Sequence, residues 1–121
     1  MASRSRGALE REVIACLAAA GRPMTAAEVR AELSGDLAYT TVMTTLSRLH
    51  AKDAIERVPQ GRAYAYSLTG GAATARANVA AHRMLRLLDH ETDRAAVLTR
   101  FVGDLQPNDE QLLTELLRGR E

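Results

Sequence analysis

The spacing of apolar residues switches twice along this chain, and where it switches limits the fold. From Ala8 to Lys52 apolar side chains recur at helical intervals. From Ile55 to Leu68 they alternate, with a period of about two. Beyond Thr69-Gly70-Gly71 the helical spacing returns. Residues 55–58 and 63–68, joined by Pro59-Gln60-Gly61-Arg62, therefore read as a β-hairpin. Tyr64, Tyr66 and Leu68 alternate with Ala63, Ala65 and Ser67. Gly61 supplies the turn, and Pro59, having no N–H to give, confines its strand to a sheet edge.

Three short helices precede the hairpin. Residues 1–6 read as a polar tail. From Ala8 to Ala20, Leu9, Val13, Cys16, Leu17 and Ala20 form one face, with Glu10, Arg11 and Glu12 between them. Gly21-Arg22-Pro23 stops that helix. Thr25-x-x-Glu28 is a capping box for the second, whose Val29 and Leu33 point inward and which Ser34-Gly35 ends. The third spans about Tyr39 to Lys52. Val42, Leu46 and Leu49 share a narrow arc, Thr40, Thr44, Ser47 and Ala51 the opposite one, and Thr41, Met43 and Arg48 flank it.

Three helices follow. Ala72 to Asp89 carries Val79, Met84, Leu85 and Leu88, and Asp93 to Leu105 carries Val97, Leu98, Phe101 and Val102. Pro107-Asn108 breaks the chain, and Asn108-x-x-Gln111 caps a last helix with Leu112, Leu113, Leu116 and Leu117. The expected fold is mainly α: a winged helix-turn-helix domain over 1–69, three helices plus a hairpin wing, then a helical segment over 70–121.

Composition narrows the function. Of 121 residues, 16 are cationic and 15 anionic, which excludes a strongly basic coat but not a local basic surface. Cys16 is the only cysteine, so no intrachain disulfide and no cysteine-rich zinc site can form. It reads as a small core residue. His50, His82 and His90 lack ligand spacing, so neither metal nor cofactor is expected. No catalytic motif or phosphate loop is present, which points away from an enzyme. No apolar run nears the ~18 residues of a membrane span. The N-terminus lacks an apolar h-region, so the expected compartment is the cytoplasm and no membrane insertion is expected.

In a winged helix the third helix enters a DNA major groove and the hairpin rests on the backbone beside it. The third helix here has a small, uncharged outer face. Thr hydroxyls can bond bases or phosphates, and Thr methyls can touch a thymine methyl. Exposed faces usually carry stronger helix formers, so a Thr-rich one asks for a reason. The candidate DNA-binding set is Thr40, Thr41, Met43, Thr44, Ser47 and Arg48, with Arg57 and Arg62 on or beside the wing turn. The apolar tail is too short to cover itself. Pairing with a twin would bury Val97, Phe101, Val102, Leu105, Leu112, Leu113, Leu116 and Leu117, so these are the candidate dimerisation residues. A small-molecule-responsive regulator and a protein-interaction module without DNA binding are the alternatives.

The stretch Leu37-Ala38-Tyr39-Thr40-Thr41-Val42-Met43-Thr44-Thr45-Leu46-Ser47-Arg48-Leu49, then Lys52-Asp53-Ala54-Ile55 and Gly61-Arg62-Ala63-Tyr64-Ala65-Tyr66, resembles the BlaI/MecI penicillinase-repressor family, as does the opening Leu9-Glu10-x-x-Val13. The resemblance implies a homodimeric transcriptional repressor on an inverted-repeat DNA operator, paired through its C-terminal helices. Carried over by position, Thr40, Thr41, Met43, Thr44 and Arg48 are groove-facing and Arg62 belongs to the wing. The resemblance also implies that an antibiotic- or stress-linked signal releases the repressor, with a membrane sensor protease as partner that cuts between an Asn and a Phe. The matching pair here is Arg100-Phe101, so the Phe is present and the Asn is not. The Cys-x-Cys tail of related copper-responsive repressors is not in the closing Leu116-Leu117-Arg118-Gly119-Arg120-Glu121.

Overall fold

The computed structural model describes residues 5–120. The polar tail expected over 1–6 falls outside these up to residue 4. The elements are α1 (Arg6–Ala20), β1 (Met24–Thr25), α2 (Ala26–Glu32), α3 (Tyr39–Ala51), β2 (Ile55–Gln60), β3 (Ala63–Leu68), α4 (Ala72–Asp89), α5 (Arg94–Gly103) and α6 (Pro107–Arg118). Three helices and a hairpin, then three helices, is the winged helix-turn-helix order with a helical extension. By packing, the chain forms one unit up to Arg83 and a second from Met84. The helical segment does begin near residue 70, but the first three turns of α4 belong to the winged unit, where Ala75 and Val79 are buried.

In the winged unit, α1 starts two residues earlier than its apolar pattern suggested. Ser5 is the N-cap, its Oγ accepting from the Ala8 N–H at 3.1 Å. Gly21, in the left-handed region at φ 63°, closes the helix. The Thr25 capping box on α2 is complete: the Glu28 N–H donates to Thr25 Oγ1 and the Thr25 N–H to Glu28 Oε1. That backbone hydrogen bond, with the nearby Arg22 guanidinium, holds the Glu28 carboxyl below its ordinary value.

Residues 24–25 form a strand that the sequence pattern did not reveal, because two residues are too few to show a period. Met24 pairs with Tyr66 and Thr25 with Ala65, giving the antiparallel order β1-β3-β2. The central position of β3 explains why Ala65 and Tyr66, on opposite faces, are both buried. The hairpin turn is shorter than the expected Pro59–Arg62. Pro59 and Gln60 stay in β2, paired with Tyr64 and Ala63, and only Gly61 and Arg62 turn. Gly61 at φ 62° allows this two-residue connection. Pro59 does lie on an edge strand, as its missing donor requires.

The core gathers Val13, Met24, Val29, Leu46, Ile55, Tyr66 and Val79, one from each element of the winged unit. It also takes in one charged group. Glu10, 1% exposed, receives Lys52 Nζ at 2.7 Å on Oε1 and Arg83 Nη2 at 3.1 Å on Oε2.

In the second unit, Asp93 caps α5 by accepting from the Ala96 N–H at 3.0 Å. The expectation that Asn108 caps the last helix is corrected. Pro107 is itself the first helical residue and Gln106 the N-cap. A proline at that position gives up an N–H that no helical carbonyl would have received, and its fixed φ suits the helix. No residue of α5 or α6 is buried.

Candidate nucleic-acid interface

Helix α3 is held from behind and bare in front. Val42, Thr45, Leu46 and Leu49 are buried. Thr45 is the one threonine turned inward, its hydroxyl donating to the Thr41 carbonyl at 2.9 Å. Thr40, Thr41, Thr44, Ser47 and Ala51 are exposed, while Met43 and Arg48 are half-buried at the flank. This is the face expected from the sequence. At its N-terminus Ala38 offers no capping side chain, and no acidic residue sits in the first turn. The first N–H groups and the positive helix end are therefore open to an anion.

The C-terminus of α3 is closed with unusual firmness. Asp53 adopts φ 59°, a conformation that costs a residue with a Cβ about 1–2 kcal/mol. The Ala54 N–H bonds the Leu49 carbonyl at 3.0 Å and the Asp53 N–H the His50 carbonyl at 3.1 Å, the paired closure of a Schellman motif. Helix α4 secures this corner: Asn78 Nδ2 donates to the Asp53 carbonyl at 2.8 Å, and His82 Nε2 lies 3.3 Å from Asp53 Oδ2. Lys52, the only lysine, is drawn inward to Glu10, so the basic surface is made of arginine alone.

On the wing, Arg62 is exposed at the turn beside Gly61. The Arg57 guanidinium lies 4.3 Å from the centre of the Tyr64 ring. Tyr64, 42% exposed, was read only as a strand residue. Its partnership with Arg57 follows from the hairpin register, in which Arg57 pairs with Tyr66 and Tyr64 is the diagonal neighbour. Tyr39, exposed at the first position of α3, was also missed as a surface group.

Cys16 packs beside the core with its sulfur 3.9 Å from Met24 Sδ. Burial, aided by Glu32, pushes its thiol pKa up, which leaves a poor nucleophile. Among the described residues no three His, Cys, Asp or Glu side chains converge as a metal set. No described helix is long and apolar enough to cross a membrane. In the tail, Val97, Phe101, Val102, Leu112, Leu116 and Leu117 are exposed, with Leu105 and Leu113 half-buried.

The penicillinase repressor family matches residues 6–119, the wing and the helical tail together. The chain belongs to that family. The transcriptional regulator BlaI of Mycobacterium tuberculosis is 38% identical over 101 residues, covering 79% of this chain and 70% of BlaI. Among solved structures, wild-type MarR from E. coli is 25% identical, covering 93% of this chain and 75% of MarR with a TM-score of 0.48. The complex structure of hsRosR is 18% identical and covers 80% of this chain and 88% of that one with a TM-score of 0.50, a likeness of fold. The chain is thus a winged-helix, DNA-binding transcriptional repressor and not an enzyme.

Proposed function

We propose that the repressor acts as a homodimer on an inverted-repeat operator, with α3 in the major groove and the wing on the backbone. The observation that carries this reading is the outer face of α3: small, uncharged and exposed, at a helix end free of acidic and capping side chains. Thr40, Thr41, Met43, Thr44 and Ser47 read base edges. Arg48 contacts the groove wall, and Arg57 and Arg62 hold phosphates. Two half-sites bound through one linked dimer reach far higher affinity than either alone, because the second contact is intramolecular.

The tail supplies the pairing. Phe101 and Leu116, 43% and 59% exposed in the single chain, belong to an apolar surface that a twin would cover. Release follows from loss of that pairing. Cleavage by a sensor protease at Arg100-Phe101 is one route. That bond lies inside α5, so a protease needing extended backbone would first have to unwind the helix.

Operator titration tests the DNA-reading roles. Thr44→Glu should abolish operator binding while leaving the fold intact, through clash and phosphate repulsion. Arg62→Ala should weaken binding to all sequences alike and lower the salt slope by roughly one unit per monomer. If Arg62→Ala changed sequence preference and left the salt slope alone, the wing would not be a backbone contact. Sedimentation giving a monomer at micromolar concentration would remove the dimer.

A further inference from the structure

Away from the threonine face, α1 and α4 enclose a cleft of about 120 Å³ floored by Ile14 and Val79. Three arginines line it: Arg11 from α1, and Arg76 and Arg83 from α4. The one carboxylate there, Glu10, is already bonded to Lys52 and Arg83. Three cations thus line the cleft against a single anion, which Lys52, outside the lining, also engages. Among the described residues neither Arg11 nor Arg76 has an ion-pair partner.

Gly7 shows where these groups point. A Cβ built on it would lie 3.3 Å from Arg83 Nη2 and 3.4 Å from Arg11 Nη1. Two cationic head groups therefore converge on the space that the missing side chain leaves open, near the start of α1. That helix has no acidic residue in its first turn, and its N-cap Ser5 is a neutral acceptor, so no negative charge there offsets the positive helix end.

We propose that this cleft binds a small, doubly charged oxyanion, either inorganic phosphate or the phosphoryl group of a phosphate monoester. The excess of positive charge favours a dianion over a single carboxylate. Guanidinium groups from two helices suit a tetrahedral group with several acceptor oxygens. A cleft this small admits the oxyanion and little more. The lining takes no residue from α3 or from the hairpin, so the cleft is separate from the proposed DNA-reading set. Bound there, the anion fastens the start of α1 to the middle of α4 and stabilises the winged unit. The proposal does not depend on operator binding, so either can fail without the other.

The test is calorimetric titration and thermal unfolding of the whole chain, in sodium phosphate, in glycerol phosphate and in sodium chloride of equal ionic strength. Phosphate or the monoester should give saturable, one-per-chain binding and a rise in unfolding temperature that chloride does not reproduce. Saturation by inorganic phosphate alone assigns the free ion, and tighter binding of the monoester assigns an esterified ligand. Arg11→Gln with Arg76→Gln should weaken binding by about a hundredfold, roughly tenfold for each charged contact. Gly7→Asp, which sets a carboxylate between Arg11 and Arg83, should fold and lose the phosphate response. Circular dichroism confirms that both variants keep their helix content. A response no larger than that to chloride, or a double variant that binds phosphate like the parent, overturns the proposal.

Discussion

The two units are built from the same few residue types, and only one of them is closed. Up to Arg83, apolar side chains from seven elements, Tyr66 of β3 among them, join in a continuous core. From Met84 onward the same residue types form helices of comparable length that bury nothing in α5 or α6. Amphipathic helices form on local signals. A core needs elements arriving from several directions. The sheet makes the difference: β3 brings Ala65 and Tyr66 in from the chain's middle and ties the entry to α2 through β1. The tail has no such element, and in the proposed dimer a second molecule would cover it.

Variants in the two units should therefore differ in how their effects depend on protein concentration. The largest effect is expected from Phe101→Ala. It should cost ~3–5 kcal/mol as an interface truncation, seen as dimer dissociation in sedimentation and as weaker operator binding. If this variant dimerised and bound like the parent, Phe101 would lie outside the interface. Next is Glu10→Ala, which strands the buried Lys52 ammonium. It should cost roughly 3 kcal/mol in denaturant unfolding, at every protein concentration. An effect that faded as the protein was concentrated would place Glu10 in the pairing surface instead.

A smaller effect belongs to the capping box. Thr25→Ala should cost about 1 kcal/mol at neutral pH. The Glu28 half of the box carries a pH signature. Its folded pKa is lowered, so its stabilisation is present above the ordinary glutamate range and is lost as pH falls through the lowered value. Glu28→Gln should thus differ from the parent in unfolding temperature at neutral pH and converge with it in acid. The smallest effect is expected from Arg100→Asn. Its side chain is 86% exposed and only 3.8 Å from Asp104 as an i, i+4 pair, so stability and pairing should stay within measurement error.

Local chemistry was legible in the sequence, and long-range pairing was not. The Thr25 box, the Gly21 stop, the span of α4 and the threonine face of α3 all follow from residues within one or two turns of each other. Glu10 was read as a polar spacer between apolar positions. Its partners lie 42 and 73 residues away, and only packing could bring Lys52 and Arg83 to it. Strand β1 was hidden for the same reason, since its identity rests on β3. Pro107 was taken for a breaker although proline is welcome in a first turn; the ambiguity is chemical, because the same missing N–H ends one helix and begins another. At the site, the place of Arg62 was legible from the turn, whereas Arg57 lies within β2, with Val58, Pro59 and Gln60 between it and the turn. The Arg57–Tyr64 stack needed the register.

Pro59 on the outer strand of the wing has a further consequence. A hairpin that protrudes toward DNA presents one unpaired edge, and two such edges on neighbouring molecules are templates for intermolecular sheet growth. β2 carries Glu56 and Arg57 and, after Val58, Pro59: two charges and a residue with no N–H to donate. Repressors brought close together on adjacent operators would meet an edge with one donor missing and two charges in the way. The outer strand of the wing is thereby a poorer template for polymerisation than an uncharged strand without proline would be.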